Sequence, residues 1–366
     1  MSKVYAKDFM VSTLSESEPK QYAKKLEKPL KAVLNLNEFQ YDLPKKVVEA
    51  IRNEAVTASK YVYYGDGLTG KLIEKTAEYV GVTPDCIALD ESLDQALNRL
   101  PKIFVNKGEN IIMMSPTYPE LFYGNRRAGG VTKKVALDMP EFDMNPDRIL
   151  EACDKDTRMI FLCSPNNPTG VVAPKEDIMK VVENAPCVVL VDECYYEYCQ
   201  ETVADEVNNY PNLYVLRSFS KGFGLAGAKM SYIISNPENT AIYNKIMSGF
   251  EYNRFGTAGA LAALDSIKEY QAIWNEINSE KERTRKELSS VGYKVWKSGG
   301  IFGFIDISAS GLPGDKVQAI LRDDHGILVR NVASTFTELE NKYISFATGK
   351  REINDEIIST LKSLAE

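Results

Sequence analysis

Strand-length apolar runs recur along the first two thirds of this chain, at 86–89, 110–115, 132–137, 158–163, 188–191, 213–218 and 231–235. Between many of them apolar positions return at helical spacing instead, as in 43–54, 69–80 and 93–105,. Strands and helices that alternate with short connections predict an α/β fold, a mostly parallel sheet of seven-stranded type with helices on both faces. The pattern changes past residue 250. A long, charge-laced helical stretch at 258–289 leads into further strand-like runs at 293–296, 302–307, 327–330 and 343–347. These predict a smaller α/β C-terminal lobe, with the first residues of the chain folding back onto it. The expected division is a large domain over 36–250, and a small one made of 1–35 and 251–366.

A chain of 366 residues exceeds one ordinary core, in keeping with two lobes,. Its net charge of −7 argues against nucleic acid as a partner, since phosphate contact needs a basic face,. The longest apolar runs are far shorter than the ~20 residues of a membrane span. Residues 1–7 are polar and carry no signal-peptide core, so a cytoplasmic protein is expected,. The six cysteines show no Cys-x-x-Cys spacing, which suits reduced, packed thiols,. Cys194 sits between Asp192 and Tyr195, yet alternation along an extended segment is expected to turn it away from any bound ligand and leave it a packing role,. A single histidine, His325, is expected in a surface turn, and no zinc site or serine-histidine pair can be assembled from it,.

Three segments concentrate candidate chemistry. Lys221 follows the run at 213–218 and lies among Ser218, Ser220, Gly222, Gly224 and Gly227. A lysine that forms a Schiff base must be partly desolvated, and small neighbours leave room for a bound aldehyde. The hydroxyls could grip a phosphate at the same turn. Asp192 ends the run at 188–191, which delivers a carboxylate to the carboxyl edge of a parallel sheet,. A carboxylate there can keep a pyridine nitrogen protonated, as pyridoxal phosphate requires to act as an electron sink. The third segment, 164–170, reads Ser-Pro-Asn-Asn-Pro-Thr-Gly after another strand, and its prolines and glycine fix a turn that aims Asn167,. Alone, such a turn is as readily structural.

With SPNNPTG, VDECYYEY and SFSKGFGLAG in this order, the chain resembles the fold-type I pyridoxal-phosphate aminotransferases, and within them the histidinol-phosphate aminotransferase branch. The resemblance runs from Leu34-Asn35-Leu36-Asn37-Glu38 to Gly349. It implies pyridoxal 5'-phosphate as cofactor, Lys221 as the Schiff-base lysine and Asp192 as the partner of the pyridine nitrogen. Tyr195 and Asn167 match the donors to the cofactor's phenolic oxygen, and Tyr118 the aromatic stacked on its ring. Ser92, Ser218 and Ser220 match the phosphate ligands. Tyr64 matches a tyrosine that reaches the phosphate in the neighbouring subunit, which implies a homodimer with shared active sites.

Two departures stand out. Where the family carries an arginine on the cofactor phosphate this chain has Lys229, and the adjoining turn reads Glu91-Ser92-Leu93 where relatives begin with glycine. A lysine keeps the charge but loses the bidentate grip, so weaker cofactor retention is expected. Aligning the late glycine with Gly349 also puts Ser345 where the family has its carboxylate-pairing arginine. Arg330 matches a second family arginine at the substrate's anionic end. Arg254 falls in a segment that lines the substrate side in relatives, and reads equally well as a surface or interdomain residue.

The expected activity is transamination of a small phosphorylated keto or amino alcohol, either histidinol-phosphate-like or a three-carbon keto-alcohol phosphate, with glutamate as donor. A decarboxylase of phosphorylated amino acids and a non-enzymatic regulator on the same fold are the alternatives at this point.

Overall fold

The computed structural model describes residues 29–62, 67–248 and 250–365. Its first strand, β1 (Ala32–Val33), belongs with the last third of the chain. The seven that follow form one sheet: β2 (Ile87–Asp90), β3 (Asn110–Ser115), β4 (Val131–Ala136), β5 (Thr157–Cys163), β6 (Val188–Asp192), β7 (Leu213–Ser218) and β8 (Ser231–Ile234), in spatial order β2-β8-β7-β6-β5-β3-β4. Only β8 runs against its neighbours, and the other adjacent pairs are parallel. The apolar runs of the central strands are buried apart from Val188 at the start of β6, as two helix-covered faces require,. β4 closes one edge and alternates instead, and its Lys133 and Lys134 are of the kind that discourages further strand pairing,.

Five further strands follow: β9 (Lys294–Val295), β10 (Phe302–Asp306), β11 (Ile327–Leu328), β12 (Arg330–Asn331) and β13 (Tyr343–Ala347). β12-β13-β10-β9 make an antiparallel sheet, and β11 pairs in parallel with β1. The expected strand at 327–330 is therefore two short ones that serve different sheets, because the chain turns from β1 to β13 across Val329. The expected helical stretch at 258–289 is likewise two helices, Arg254–Leu264 and Ile267–Ser289. Ala260, Ala263, Tyr270, Trp274 and Ile277 from this pair pack in the core of the large sheet, whereas Leu288 joins a second core with Leu34, Ile305, Ile344 and Ile357. Packing is thus shared across residue 250. His325 is half-buried rather than a free surface turn, with its ring nitrogens at 3.1 Å from Glu356 and 3.3 Å from Thr360 of the C-terminal helix. Among the described residues no helix is long and apolar enough to cross a membrane.

One ion pair lies wholly inside the large core. Arg217 of β7 meets Glu193 at 2.9 Å, with both side chains 2% exposed, and the guanidinium covers the ring of Tyr196 at 3.5 Å from its centroid. Thr202 and the Val203 amide complete the shell around Glu193. Replacing Arg217 by Met strips Glu193 of its counter-charge, and removal of one partner from such a pair costs about 3–5 kcal/mol. Urea unfolding of Arg217→Met should show a midpoint lowered to match, with an unchanged slope.

Candidate active site

Every parallel strand that carries a candidate residue ends at the same edge of the large sheet. Cys163 of β5 pairs with Asp192 of β6, and Asp192 with Leu216 of β7, so the turn at 164–170, the Asp192 carboxylate and the segment 218–221 emerge side by side. The Asp192 carbonyl accepts from the Ser164 amide at 3.0 Å and fixes the start of that turn. Inside it, Asn166 bonds Thr117, the Pro116 carbonyl and Thr169, all buried. That polar knot leaves the next residue, Asn167, to face the cleft.

Asp192 is 2% exposed, and its Oδ1 accepts from the Cys194 amide at 3.0 Å. No cation pairs with it among the described residues, and burial pushes its pKa up to about 6. Cys194 is not simply turned away, since its thiol as well as its amide reaches the Asp192 carboxylate. Lys221 Nζ donates to the Leu36 carbonyl at 2.9 Å, and desolvation holds this amine below the ordinary lysine value. The backbone around it is fastened from behind: Tyr198 donates to the Lys221 carbonyl at 2.8 Å, Trp274 to that of Gly222 at 2.6 Å, and Tyr270 to that of Phe223 at 2.9 Å. Tyr195 is buried against the edge of Phe302, and its hydroxyl accepts from Asn37 Nδ2 at 3.1 Å. Tyr118 donates to Asp94 at 2.8 Å.

Ser92 caps the helix Leu93–Phe104, with Oγ accepting from the Gln95 amide at 3.3 Å. The helix start, with its free amides, thereby opens at the same edge. Ser218 Oγ accepts from the Ser220 amide at 3.0 Å and shapes the turn before Lys221. Beneath lies Asp90, fully buried and neutralised by Arg99 at 2.6 Å and by the Tyr243 hydroxyl. Lys229 is exposed, in a left-handed conformation with φ of 53°. Tyr64 lies outside the described residues.

Arg330 enters from the small sheet. Its Nε donates to the Asn35 carbonyl at 2.8 Å and its Nη1 lies 3.5 Å from Asn167 Oδ1. It has no carboxylate partner among the described residues, and burial disfavours its charge. Ser345 stands opposite it in the ladder, 1% exposed, with Oγ unpaired. The structure places Arg254 elsewhere: it pairs with Glu54 at 2.9 Å and donates to Thr57 and the Tyr61 carbonyl, so its charge is already compensated within the protein.

The segment Asn35-Leu36-Asn37 was given no role from sequence, yet it touches Arg330, Lys221 and Tyr195 in turn. Its alternation of asparagine and leucine was the available signal. Asp94, Asp90 and Arg99 also went unassigned. Asp94 and Arg99 sit on a helix whose polar face looks like any solvated one.

The donor set fits pyridoxal phosphate on the structure's own terms. An uncompensated buried carboxylate suits a protonated ring nitrogen, a desolvated amine suits an aldehyde, and hydroxyls at a capped helix start suit a phosphate.

Comparison with known proteins agrees. The family model Aminotransferase class I and II matches residues 31–361. Histidinol-phosphate aminotransferase of Thermoanaerobacter pseudethanolicus is 32% identical over 92% of this chain and 93% of its own length. That of Methanosarcina mazei is 32% identical over 89% and 86%. Among solved structures, histidinol-phosphate aminotransferase from Sinorhizobium meliloti in complex with pyridoxal-5'-phosphate superposes with a TM-score of 0.83 at 24% identity, covering 92% of each chain. A Thermus thermophilus aspartate aminotransferase mutant gives 0.78 at 21%, covering 92% of this chain and 97% of its own. These matches lend no support to a decarboxylase or a regulator.

The raised pKa of Asp192 has a calculable consequence for the cofactor-free protein. Its folded value, about 6, exceeds the unfolded ~3.9, so the folded state holds more protons between the two and stability falls as pH rises through that window,. Asp192→Asn removes this liability. Cofactor-free Asp192→Asn should be more stable than wild type above pH ~6, by up to about 3 kcal/mol, and the difference should close by pH ~4. Melting temperatures measured across this range check both the sign and the window.

Proposed function

The chain belongs to the class I and II aminotransferases, and we propose that within this family it moves an amino group between glutamate and a small phosphorylated keto alcohol. The names of its relatives make the keto partner of histidinol phosphate the first candidate, with a three-carbon keto-alcohol phosphate as the second. The observation that carries this reading is Arg330, a half-buried cation beside Asn167 with no carboxylate partner among the described residues. A desolvated guanidinium without a counter-ion is a ready site for an anionic group of the substrate.

Pyridoxal phosphate, the family's cofactor, supplies an electron sink for the charge left on the substrate carbon when its proton departs. Asp192, ionised, would hold the ring nitrogen protonated and gain the counter-charge it lacks. Asn167 turns Oδ1 to Arg330, so its Nδ2 is left to donate into the cleft. Tyr195 accepts from Asn37, so its own proton is likewise free to donate. These two would hold the phenolic oxygen, with the Tyr118 ring against the cofactor face. Ser92, Ser218, Ser220 and Lys229 would serve the phosphate, Lys229 as a point charge. Lys221 Nζ, its charged form disfavoured by burial, would take the proton from the substrate carbon and return it one step later,.

We place the active site in a homodimer. Val56, Tyr61 and Phe250 are 87%, 73% and 62% exposed, and the rings of Tyr61 and Phe250 lie 5.4 Å apart. Large apolar side chains grouped at the surface favour burial against a second copy, next to the segment that carries Tyr64. The double substitution Tyr61→Ser, Phe250→Ser should shift the sedimenting species toward monomer and lower activity in proportion.

The substrate is tested by adding glutamate or histidinol phosphate to the holoenzyme and following the visible band of the cofactor. Bleaching by both amines is expected, and Arg330→Ala should lower kcat/KM for histidinol phosphate roughly 100-fold. Bleaching by glutamate alone sinks the histidinol-phosphate reading; if a three-carbon amino-alcohol phosphate also fails to bleach the band, the phosphorylated-substrate reading falls and the transaminase assignment stands.

A further inference from the structure

A cavity of about 1070 Å³ opens at the seam between the long helix Ile267–Ser289, the segment 171–176 and the small sheet. Gly303, Ile305 and Phe346 line it. On their strands these residues alternate with Phe304 and Ser345, so the cavity lies on the face of the small sheet opposite Ser345 and its ladder partner Arg330,. It is not the cleft of Lys221.

Glu176, Glu201 and Glu282 line it beside four basic residues, and among these Lys281 is the half-buried cation without an ion-pair partner among the described residues. The ammonium donates to the Gly300 carbonyl at 2.6 Å and to Asn278 Oδ1 at 2.9 Å, and lies 6.0 Å from the centroid of the Tyr198 ring. All three neighbours are neutral, two of its three N–H groups are used, and no carboxylate pairs with it among the described residues. A second lysine, Lys297, lines the same cavity, also without an ion-pair partner among the described residues, and its charge adds to the disfavour. Desolvation first, then Lys297, bring Lys281 down to about 8 against the pull of Cys199 and Glu282. The other basic residues of the lining are already paired, Arg285 with Glu282 and Lys175 with Asp205. Val171, Val172, Val295 and Trp296 give the cavity apolar walls.

Lys281 is half-buried, and a desolvated cation without a counter-ion is a ready site for an anionic group,. We propose that this cavity binds a small monoanion with an apolar body, such as an aliphatic or aromatic carboxylate, whose charged group completes the shell of Lys281. This does not depend on the substrate proposed above. Occupancy would bear on catalysis, because the walls continue into the active-site turn. The Gly299 amide donates to the Gly170 carbonyl at 2.8 Å, and a Cβ on Gly299 would meet Val172 at 2.3 Å, so the loop carrying Lys297 is pressed onto the turn that carries Asn167.

Benzoate is a suitable probe, titrated into the holoenzyme by calorimetry with neutral benzamide as control. Saturable binding of benzoate is expected in wild type and in Arg330→Ala, at least tenfold weaker in Lys281→Met and recovered in Lys281→Arg, with benzamide binding at least tenfold weaker than benzoate. The proposal is overturned by absent binding in wild type, by equal binding in Lys281→Met, by loss in Arg330→Ala, or by benzamide binding as well as benzoate. Should Lys281→Met fail to fold, Lys297→Met and the benzoate–benzamide comparison in wild type decide: weaker benzoate binding in the variant supports the site, and no preference for the anion rejects it.

Discussion

Charge held out of water without a partner organises the catalytic edge of this protein. Asp192, Lys221 and Arg330 stand at one end of the large sheet, and none has an ion-pair partner among the described residues. The chain is able to pair buried charge where it needs to. Glu193, one residue beyond Asp192, is matched by Arg217, and Asp90 at the end of β2 is matched by Arg99 and Tyr243. The contrast between adjacent residues argues that the unpaired set is reserved for something bound, since desolvating a lone charge costs several kcal/mol and persists only where function uses it. The compensated pairs lie behind the edge and stiffen it. The uncompensated groups face the cleft.

Keeping such groups at a fixed distance requires the large and small sheets to be tied, and one tie is the short segment after β1. β1 is held to the small sheet's neighbour β11, and the chain then crosses to the large sheet while its backbone carbonyls accept from Arg330 and Lys221. Asn37 adopts φ of 54°, a left-handed conformation that asparagine tolerates, and from there its side chain reaches Tyr195,. One turn of chain thus contacts a residue from each of three separate elements. Carbonyl oxygens suit this task because they hold cations without neutralising them. A carboxylate in place of the Leu36 carbonyl would raise the Lys221 pKa that burial has lowered,.

The sheet was legible because its central strands are buried on both faces, and an apolar run with no exposed face leaves little room for a shifted register. β3, β7 and β13 begin and end where the apolar runs do. Places that sequence did not reveal are those where pairing partner, not residue preference, sets the boundary. The run at 327–330 is apolar throughout its first three residues, yet its two halves pair with chain segments 295 and 15 residues away, β1 and β13, and only tertiary contact divides them. In the site, the lysine, aspartate and asparagine announce themselves by the small or rigid residues around them. Arg254 carries no such mark: whether an arginine faces a ligand or a glutamate depends on Glu54, two hundred residues earlier. The strap at 35–37 works through backbone carbonyls, which leave no trace in side-chain identity.

Among the described residues no cation of β13 stands beside Arg330, and this bears on which molecules the cleft can accept. Ser345 faces the same side of the small sheet as Arg330, directly across the ladder, and its hydroxyl is enclosed without a hydrogen bond. Phe304 flanks it on the next strand. A buried hydroxyl and an aromatic ring offer no counter-charge, so one anionic group can be met at Arg330 while a second, held nearby, would stay unpaired at a cost of several kcal/mol. Arg254 cannot make up the difference without giving up its ion pair with Glu54. Under these constraints the amine-bearing carbon is best served by a neutral substituent with the charge at the far end of the molecule. That is the distribution of a phosphorylated amino alcohol. If glutamate is the donor, as proposed above, its second carboxylate would have to turn to water or to a second copy of the chain, and selectivity between the two half-reactions would follow from where that charge can go.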